Sequence, residues 1–214
     1  MDKNAAMVDV RDVSLILQKN RILDHISVSF EKGKIHGLVG RNGSGKTMLI
    51  KCICGFVRPT SGEIVVGGKR VGVDVDFPDD MGYIIETPGF IPYYSGYMNL
   101  KLLADLKGRI GKEEIRESME RVGLDPDLRR HVRKYSLGMR QRLGIAQAIM
   151  EDPDILLLDE PFNGLDSDGV REMHDYFLSL KEEGKTMILV SHSTEDIDLL
   201  CDHVVHIEKG RIVG

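Results

Sequence analysis

Apolar residues follow two alternating rhythms along this chain. Ile26, Val28 and Phe30 alternate with polar residues, the period of a half-buried strand, and Ile35 to Val39 is a short apolar run bounded by glycines. Leu49, Ile53 and Phe56 then recur at helical spacing until Pro59, Thr60, Ser61 and Gly62 force a turn. Strand-like pieces return at Glu63 to Val66 and at Met81 to Ile85. From Pro88 to Met150 the rhythm is helical, with Ile115, Met119 and Val122, and again Leu143, Ala146 and Met150, three or four residues apart. The last third has continuous apolar runs, Ile155 to Leu158 and Met187 to Val190, separated by an amphipathic helix through Val170, Met173, Phe177 and Leu180. Continuous runs divided by helices predict an α/β protein whose mostly parallel sheet is covered on both faces.

Length and charge narrow this picture. At 214 residues the chain predicts one domain, an α/β core over 1–87 and 151–214 with a helical insert over 88–150. The 29 basic and 34 acidic residues leave a net charge of −5, which offers nucleic acid or anionic lipid no general footprint. Any polyanion must bind at a local site. No stretch approaches the roughly 18 apolar residues that span a bilayer, and the opening Met-Asp-Lys-Asn-Ala-Ala has no apolar signal core. Three cysteines, two of them in the apolar run around Ile53, fit a reducing compartment and packing roles; Cys52 and Cys54 do not share a helix face. The expected location is cytoplasmic. Glycine is in excess, 23 residues, which directs attention to glycine-rich loops.

One such loop carries chemistry. Gly40-Arg41-Asn42-Gly43-Ser44-Gly45-Lys46-Thr47 follows an apolar strand and precedes a helix, the context in which G-x-x-x-x-G-K-[ST] binds phosphate. Glycines let successive backbone N–H groups curl around phosphate oxygens. The helix N-terminus, continuing into Met48, adds its positive end, Lys46 reaches the β and γ phosphates, and Thr47 ligates Mg²⁺. Chance produces the pattern in on the order of 1% of chains this long. The run Ile155 to Leu158 ends in Asp159 and Glu160. An apolar run closed by two acids is common by itself, but beside a phosphate loop Asp159 is expected to hold Mg²⁺ and Glu160 to be the base for an attacking water. His192 follows the last apolar run, at a strand end where ligands gather in open α/β sheets. Histidines 25, 36, 131, 174, 203 and 206 lack such a context and are expected to be structural.

A third segment, Tyr135-Ser136-Leu137-Gly138-Met139-Arg140-Gln141-Arg142, resembles the signature loop and helix of ABC transporter nucleotide-binding domains. Pro59 to Glu63 is similar to the turn after that family's first helix, and Pro161-Phe162-Asn163-Gly164-Leu165-Asp166 to its D-loop. The resemblance covers nearly the whole chain. It implies a phosphate-loop NTPase of ABC type: a mostly parallel sheet flanked by helices, an N-terminal antiparallel β region and a helical insert. It implies an ATPase using ATP and Mg²⁺ as a head-to-tail dimer, with a copy of itself or with a related subunit. Ser136 and Gly138 would contact ATP held by the partner, Asp166 would bridge the subunits, and His192 would hold the γ-phosphate. Separate transmembrane permease subunits are implied, received near Glu86 to Tyr94 and on the helical insert, with the chain peripheral at the inner face of the membrane.

The sequence departs from the family in three places. Glu86 stands where the family has a glutamine that contacts Mg²⁺ and the membrane subunit. The aromatic that usually stacks on adenine is missing from Leu15 to Asn20, leaving Leu17 or a neighbour to hold the base. Leu137 and Met139 replace a glycine and a glutamine of the common signature. Glu86, the Tyr-Ser-Leu-Gly-Met signature and Thr87-Pro88-Gly89-Phe90 together resemble the branch that serves bacitracin-type resistance and lantibiotic immunity, implying export of a peptide antibiotic or similar amphiphile. The alternative is a soluble ABC-type ATPase of an assembly complex, as in iron–sulfur cluster biogenesis. A phosphate-loop kinase or GTPase leaves the signature unexplained and would need an Asn-Lys-x-Asp motif. The end at Gly214, just past the last predicted strand, carries the expectation that the C-terminal extension of some such ATPases is lacking.

Overall fold

The computed structural model describes residues 6–86 and 88–213. The opening five residues, Gly214 and Thr87, where the boundary between core and insert was expected, lie outside the described residues. Strands β1 (Ala6–Leu17) and β2 (Asn20–Glu31) form a long antiparallel hairpin. Its two-residue turn, Gln18 and Lys19, has positive φ at both positions, the backbone twist that matches paired strands. After β3 (Ile35–Val39) and α1 (Lys46–Ile53), strands β4 (Ser61–Val66) and β5 (Lys69–Arg70) extend this hairpin into a four-stranded sheet ordered β2-β1-β4-β5.

Helix α1 ends sooner than its apolar spacing predicts. Gly55 takes φ +83, its N–H donates to Cys52 O and the Phe56 N–H donates to Lys51 O, the paired bonds of a Schellman stop. Phe56 therefore leaves the helix and is exposed, its ring edge-on to Tyr83 at 5.0 Å. Cys52 and Cys54 remain buried, and burial pushes both thiols up to about 12; the half-buried Cys201 is likewise pushed up to about 12.

The second sheet begins with β6 (Met81–Ile84) at its edge. The insert follows: α2 (Gly96–Lys107), α3 (Lys112–Arg121), a single 3-10 turn at Val132–Lys134, and α4 (Leu137–Ile149). Then come β7 (Ile155–Asp159), α5 (Ser167–Glu182), β8 (Thr186–Val190), α6 (Thr194–Leu200), β9 (His203–Glu208) and β10 (Arg211–Val213). The sheet order is β10-β9-β3-β8-β7-β6, parallel throughout except for the terminal β9–β10 hairpin. Alternation along β7 explains its unbroken apolar run. Ile155 and Leu157 pack with α1 and the N-terminal sheet, whereas Leu156 and Leu158 pack with the insert and α5. Met119, Leu143, Phe177 and Leu189 belong to that second cluster, so the insert shares its core with the sheet. Fully burying a side chain such as Phe177 stabilises by about 1.5–3 kcal/mol.

Close approach of α4 to the sheet edge requires glycine at position 82, where a Cβ would lie 1.9 Å from the Ala148 carbonyl oxygen. Gly82→Ala is expected to lower unfolding free energy by about 1–3 kcal/mol, because two backbones must separate. Urea denaturation of the variant against the parent protein checks this.

Candidate nucleotide-binding site

The phosphate loop owes its shape to glycine at two positions. A Cβ on Gly40 would lie 2.1 Å from Ile207 O, and Gly45 combines φ +112 with a Cβ position 2.8 Å from Leu23 Cδ2. Gly45 is also the N-cap of α1 and supplies no side chain, so the first N–H groups of the helix are left for an anion. Lys46 is buried; its Nζ donates to Gly40 O at 2.6 Å and Arg41 O at 3.1 Å. Burial pulls its pKa down, against the attraction of Asp159 and Glu160. Nearby Ser44 Oγ is buried without a hydrogen-bond partner among the described residues.

The tip of β7 faces this loop. Asp159 is buried, and Thr47 Oγ1 donates to its Oδ2 at 2.7 Å. Glu160 turns out of the strand at φ +52; its N–H donates to Val190 O and its carbonyl accepts from Gln141 Nε2 at 3.1 Å. Its Oε1 is buried, with His192 Nε2 at 3.3 Å, close enough for charge attraction but outside hydrogen-bond geometry. Burial raises the Glu160 pKa most; Asp159 adds to the rise, while His192 and Lys46 oppose it. Glu86, at φ +58, accepts from Lys51 Nζ at 2.6 Å and is largely exposed.

Asn42, Gly43, Gly45, Lys46, Thr47 and Met48 line one cavity of about 820 Å³, joined there by Glu86, Asp159, Glu160 and His192. Gly40 and Arg41 act from behind it, their carbonyls holding Lys46. Three expected members lie elsewhere. Ser136, Gly138 and Asp166 line a separate cavity of about 490 Å³, where Ser136 caps α4 and Asp166 caps α5. The base contact was expected from Leu17 or a neighbour. Leu17 sits half-exposed at the hairpin turn, and Ile22, on the returning strand, lines the cavity instead. Sequence reasoning gave no role to Lys51 or to Gln141, although Gln141 stands in the signature segment.

These residues fit a nucleoside triphosphate with a divalent cation. An uncapped helix N-terminus, a buried ammonium and the orphaned Ser44 hydroxyl suit phosphate oxygens. Thr47 and Asp159 supply one hydroxyl and one carboxylate. No cluster of three or more His, Cys, Asp or Glu poised for a metal occurs among the described residues, so a cation here would draw its other ligands from phosphate and water, as Mg²⁺ commonly does.

The fold and site define a phosphate-loop nucleoside triphosphatase of the α/β class. A family model described as ABC transporter matches residues 23–163. The chain belongs to the ABC transporter family, as its ATP-binding, ATP-hydrolysing domain. It is 46% identical over 206 residues to the uncharacterized ABC transporter ATP-binding protein YybJ of Bacillus subtilis (strain 168), covering 96% of this chain and 94% of that protein. It is 37% identical over 209 residues to the bacitracin transport ATP-binding protein BcrA of Enterococcus faecalis, covering 97% of this chain and 68% of the relative. With the lantibiotic transport ATP-binding protein SrtF of Streptococcus pyogenes it shares 35% identity over 208 residues, covering 97% and 89%. These relatives bear out the branch resemblance carried by Glu86 and the signature segment. The dimeric post-hydrolysis structure of the ATP-binding cassette MJ0796 bound to ADP and Pi superposes with a TM-score of 0.88 at 22% identity over 97% of both chains, a likeness of fold.

The raised Glu160 pKa predicts a pH-dependent cost. Native Glu160 holds its proton above the ordinary glutamate range, so stability is fully present below that range and falls as pH rises through the native pKa. Glu160→Gln cannot ionise. It is expected to melt above the parent protein at neutral pH, with the gap closing below the ordinary glutamate range, as melting curves across pH would show.

Proposed function

We propose that this chain hydrolyses ATP to power export of a peptide antibiotic or similar amphiphile through separate permease subunits. Lys46 and the loop N–H groups hold the β and γ phosphates, and Thr47 with Asp159 would hold Mg²⁺, which supplies charge neutralisation at the phosphates when bound. Glu160, its proton affinity raised by burial, accepts a proton from the attacking water. His192, 3.3 Å from Glu160 Oε1 in the same cavity, would hold the γ-phosphate and order that water. Ile22, which lines the cavity, would take the place of the missing aromatic against the base.

The observation that supports the dimeric part of this reading is that Ser136, Gly138 and Asp166 line a neighbouring cavity, although Leu137, Arg140 and Gln141 of the same segment line the phosphate-loop cavity of their own chain. A second chain, a copy or a related ATPase subunit, brings its signature over the triphosphate. The reported roles of BcrA and SrtF in bacitracin and lantibiotic transport support the cargo class. No helix among the described residues is long and apolar enough to cross a membrane. Exposed Ile91, Tyr93 and Tyr94, in the segment expected to receive the permease subunits, and Leu103 and Leu106 on the insert beside Tyr83 offer them an apolar docking face, and the ATPase then works at the cytoplasmic side of the membrane.

Light scattering after size exclusion tests the dimer. Glu160→Gln with ATP and Mg²⁺ is expected to shift from monomer to dimer, and the same variant without nucleotide to stay monomeric. Retained ATP binding with no shift would replace self-pairing by pairing with a related subunit. Co-purification with a hydrophobic membrane protein checks the transport reading, and a soluble complex would favour the assembly-factor alternative. Glu86→Gln, which removes the partner of Lys51 and one negative charge beside the cavity, is expected to retain ATP binding but change the Mg²⁺ dependence of turnover; an unchanged Mg²⁺ titration would refute a role for Glu86 at the metal.

A further inference from the structure

His192 is not held by its own packing. Its side chain is about half exposed, 51%, and its Nε2, 3.3 Å from Glu160 Oε1, makes no bond of hydrogen-bond geometry to that oxygen. Its two chain neighbours are held instead. Ser191 Oγ donates to Asp196 Oδ2 at 2.6 Å, and Ser193 Oγ accepts from the Asp196 N–H at 3.2 Å, while the Ser193 N–H donates to Ser191 Oγ at 3.1 Å. Asp196 thus grips the residue on each side of His192. The carboxylate itself is buried, and its other oxygen accepts from His174 Nε2 at 3.0 Å. His174 is also buried, on the helix α5 that Asp166 caps. Its ring packs edge-on to Phe162, 4.7 Å away and two residues past Glu160.

We propose that His174 is a positioning residue for ATP hydrolysis: through Asp196 and Ser191 it sets the place of His192 against Glu160. The proposal rests on the assignment of Glu160 and His192 above. A buried imidazole, carboxylate and hydroxyl are expensive to desolvate, and apolar residues of similar shape would pack the same space without that cost. Capping does not require the network, because Ser193 alone caps α6. What the bonds add is orientation, since each member has a fixed partner and direction. They also tie three segments together: the helix that begins at Asp166, the turn after Glu160 through Phe162, and the loop carrying His192. A shift of α5, whose N-cap Asp166 and whose Glu172 line the cavity of Ser136 and Gly138, is therefore felt at His192.

Three variants test this. His174→Phe keeps a ring against Phe162 but deletes the donor, Ser191→Ala cuts the link to His192 while leaving the His174–Asp196 pair, and His174→Gln restores an N–H donor. Single-turnover ATP hydrolysis, ATP dissociation constant and melting temperature are measured on each. The expected result is a loss of turnover of about tenfold or more for His174→Phe and Ser191→Ala, ATP affinity within about twofold of the parent, and substantial recovery in His174→Gln. Parental turnover in folded Ser191→Ala and His174→Phe would overturn the proposal. So would a loss that tracks the folded fraction, or His174→Gln behaving no better than His174→Phe. Glu160→Gln, run alongside, separates the two levels: if it keeps parental turnover, the site assignment fails and the positioning role with it.

Discussion

Parallel pairing of β3, β8 and β7 is the constraint on which the site depends. Gly37 pairs with Leu189, and Asp159 pairs with Val190, so three neighbouring strands end at nearly the same level of the sheet. Each chain exit then delivers different chemistry to one place: glycines and a lysine after β3, two carboxylates at β7, and a serine and histidine after β8. The Glu160 N–H to Val190 O bond continues the ladder one step past the regular strands, holding the β7 exit against the β8 exit. Helix α1 with the N-terminal sheet on one face, and the insert with α5 on the other, keep the strands dry enough for this edge to be rigid.

Rigidity at that edge carries an electrostatic cost that the fold tolerates. Lys46 is easier to deprotonate and Glu160 harder to ionise than either would be in water, and burial leads both shifts. Opposite charges nearby soften the effect on Lys46 but do not cancel it. Ser44 Oγ and Glu160 Oε1 are left as acceptor or donor without a partner among the described residues. The interior is thus polarised and incomplete in the region where a triphosphate and a water would complete it, a common property of sites prepared for charge rather than for maximal stability.

Much of this was legible in the residues. Glycine spacing before Lys46 and the apolar run before Asp159 are local patterns, and each local pattern dictates its own geometry. The chemistry that needs long-range register was not legible. Which residue beside Leu17 reaches the phosphate-loop cavity depends on the Gln18-Lys19 turn that sets the hairpin, and that turn lacks the Asn-Gly signal that would have announced it. Phe56 continues the helical spacing, and only the stop at Gly55 removes it from α1. Lys51 and Glu86 are 35 residues apart and meet in space alone. His174 sits among apolar positions of α5, where a buried histidine cannot be told from a packing residue until Asp196 is seen opposite it.

The three thiols have a consequence of a different kind. Burial pushes the Cys52, Cys54 and Cys201 thiols up to about 12, which keeps the thiolate, the species that oxidants and alkylating reagents attack, scarce at neutral pH. The three native cysteines are therefore slow to react with maleimides. A cysteine placed on the surface by design would be the one reactive sulfur, so a fluorophore or spin label could report motion in the unaltered background.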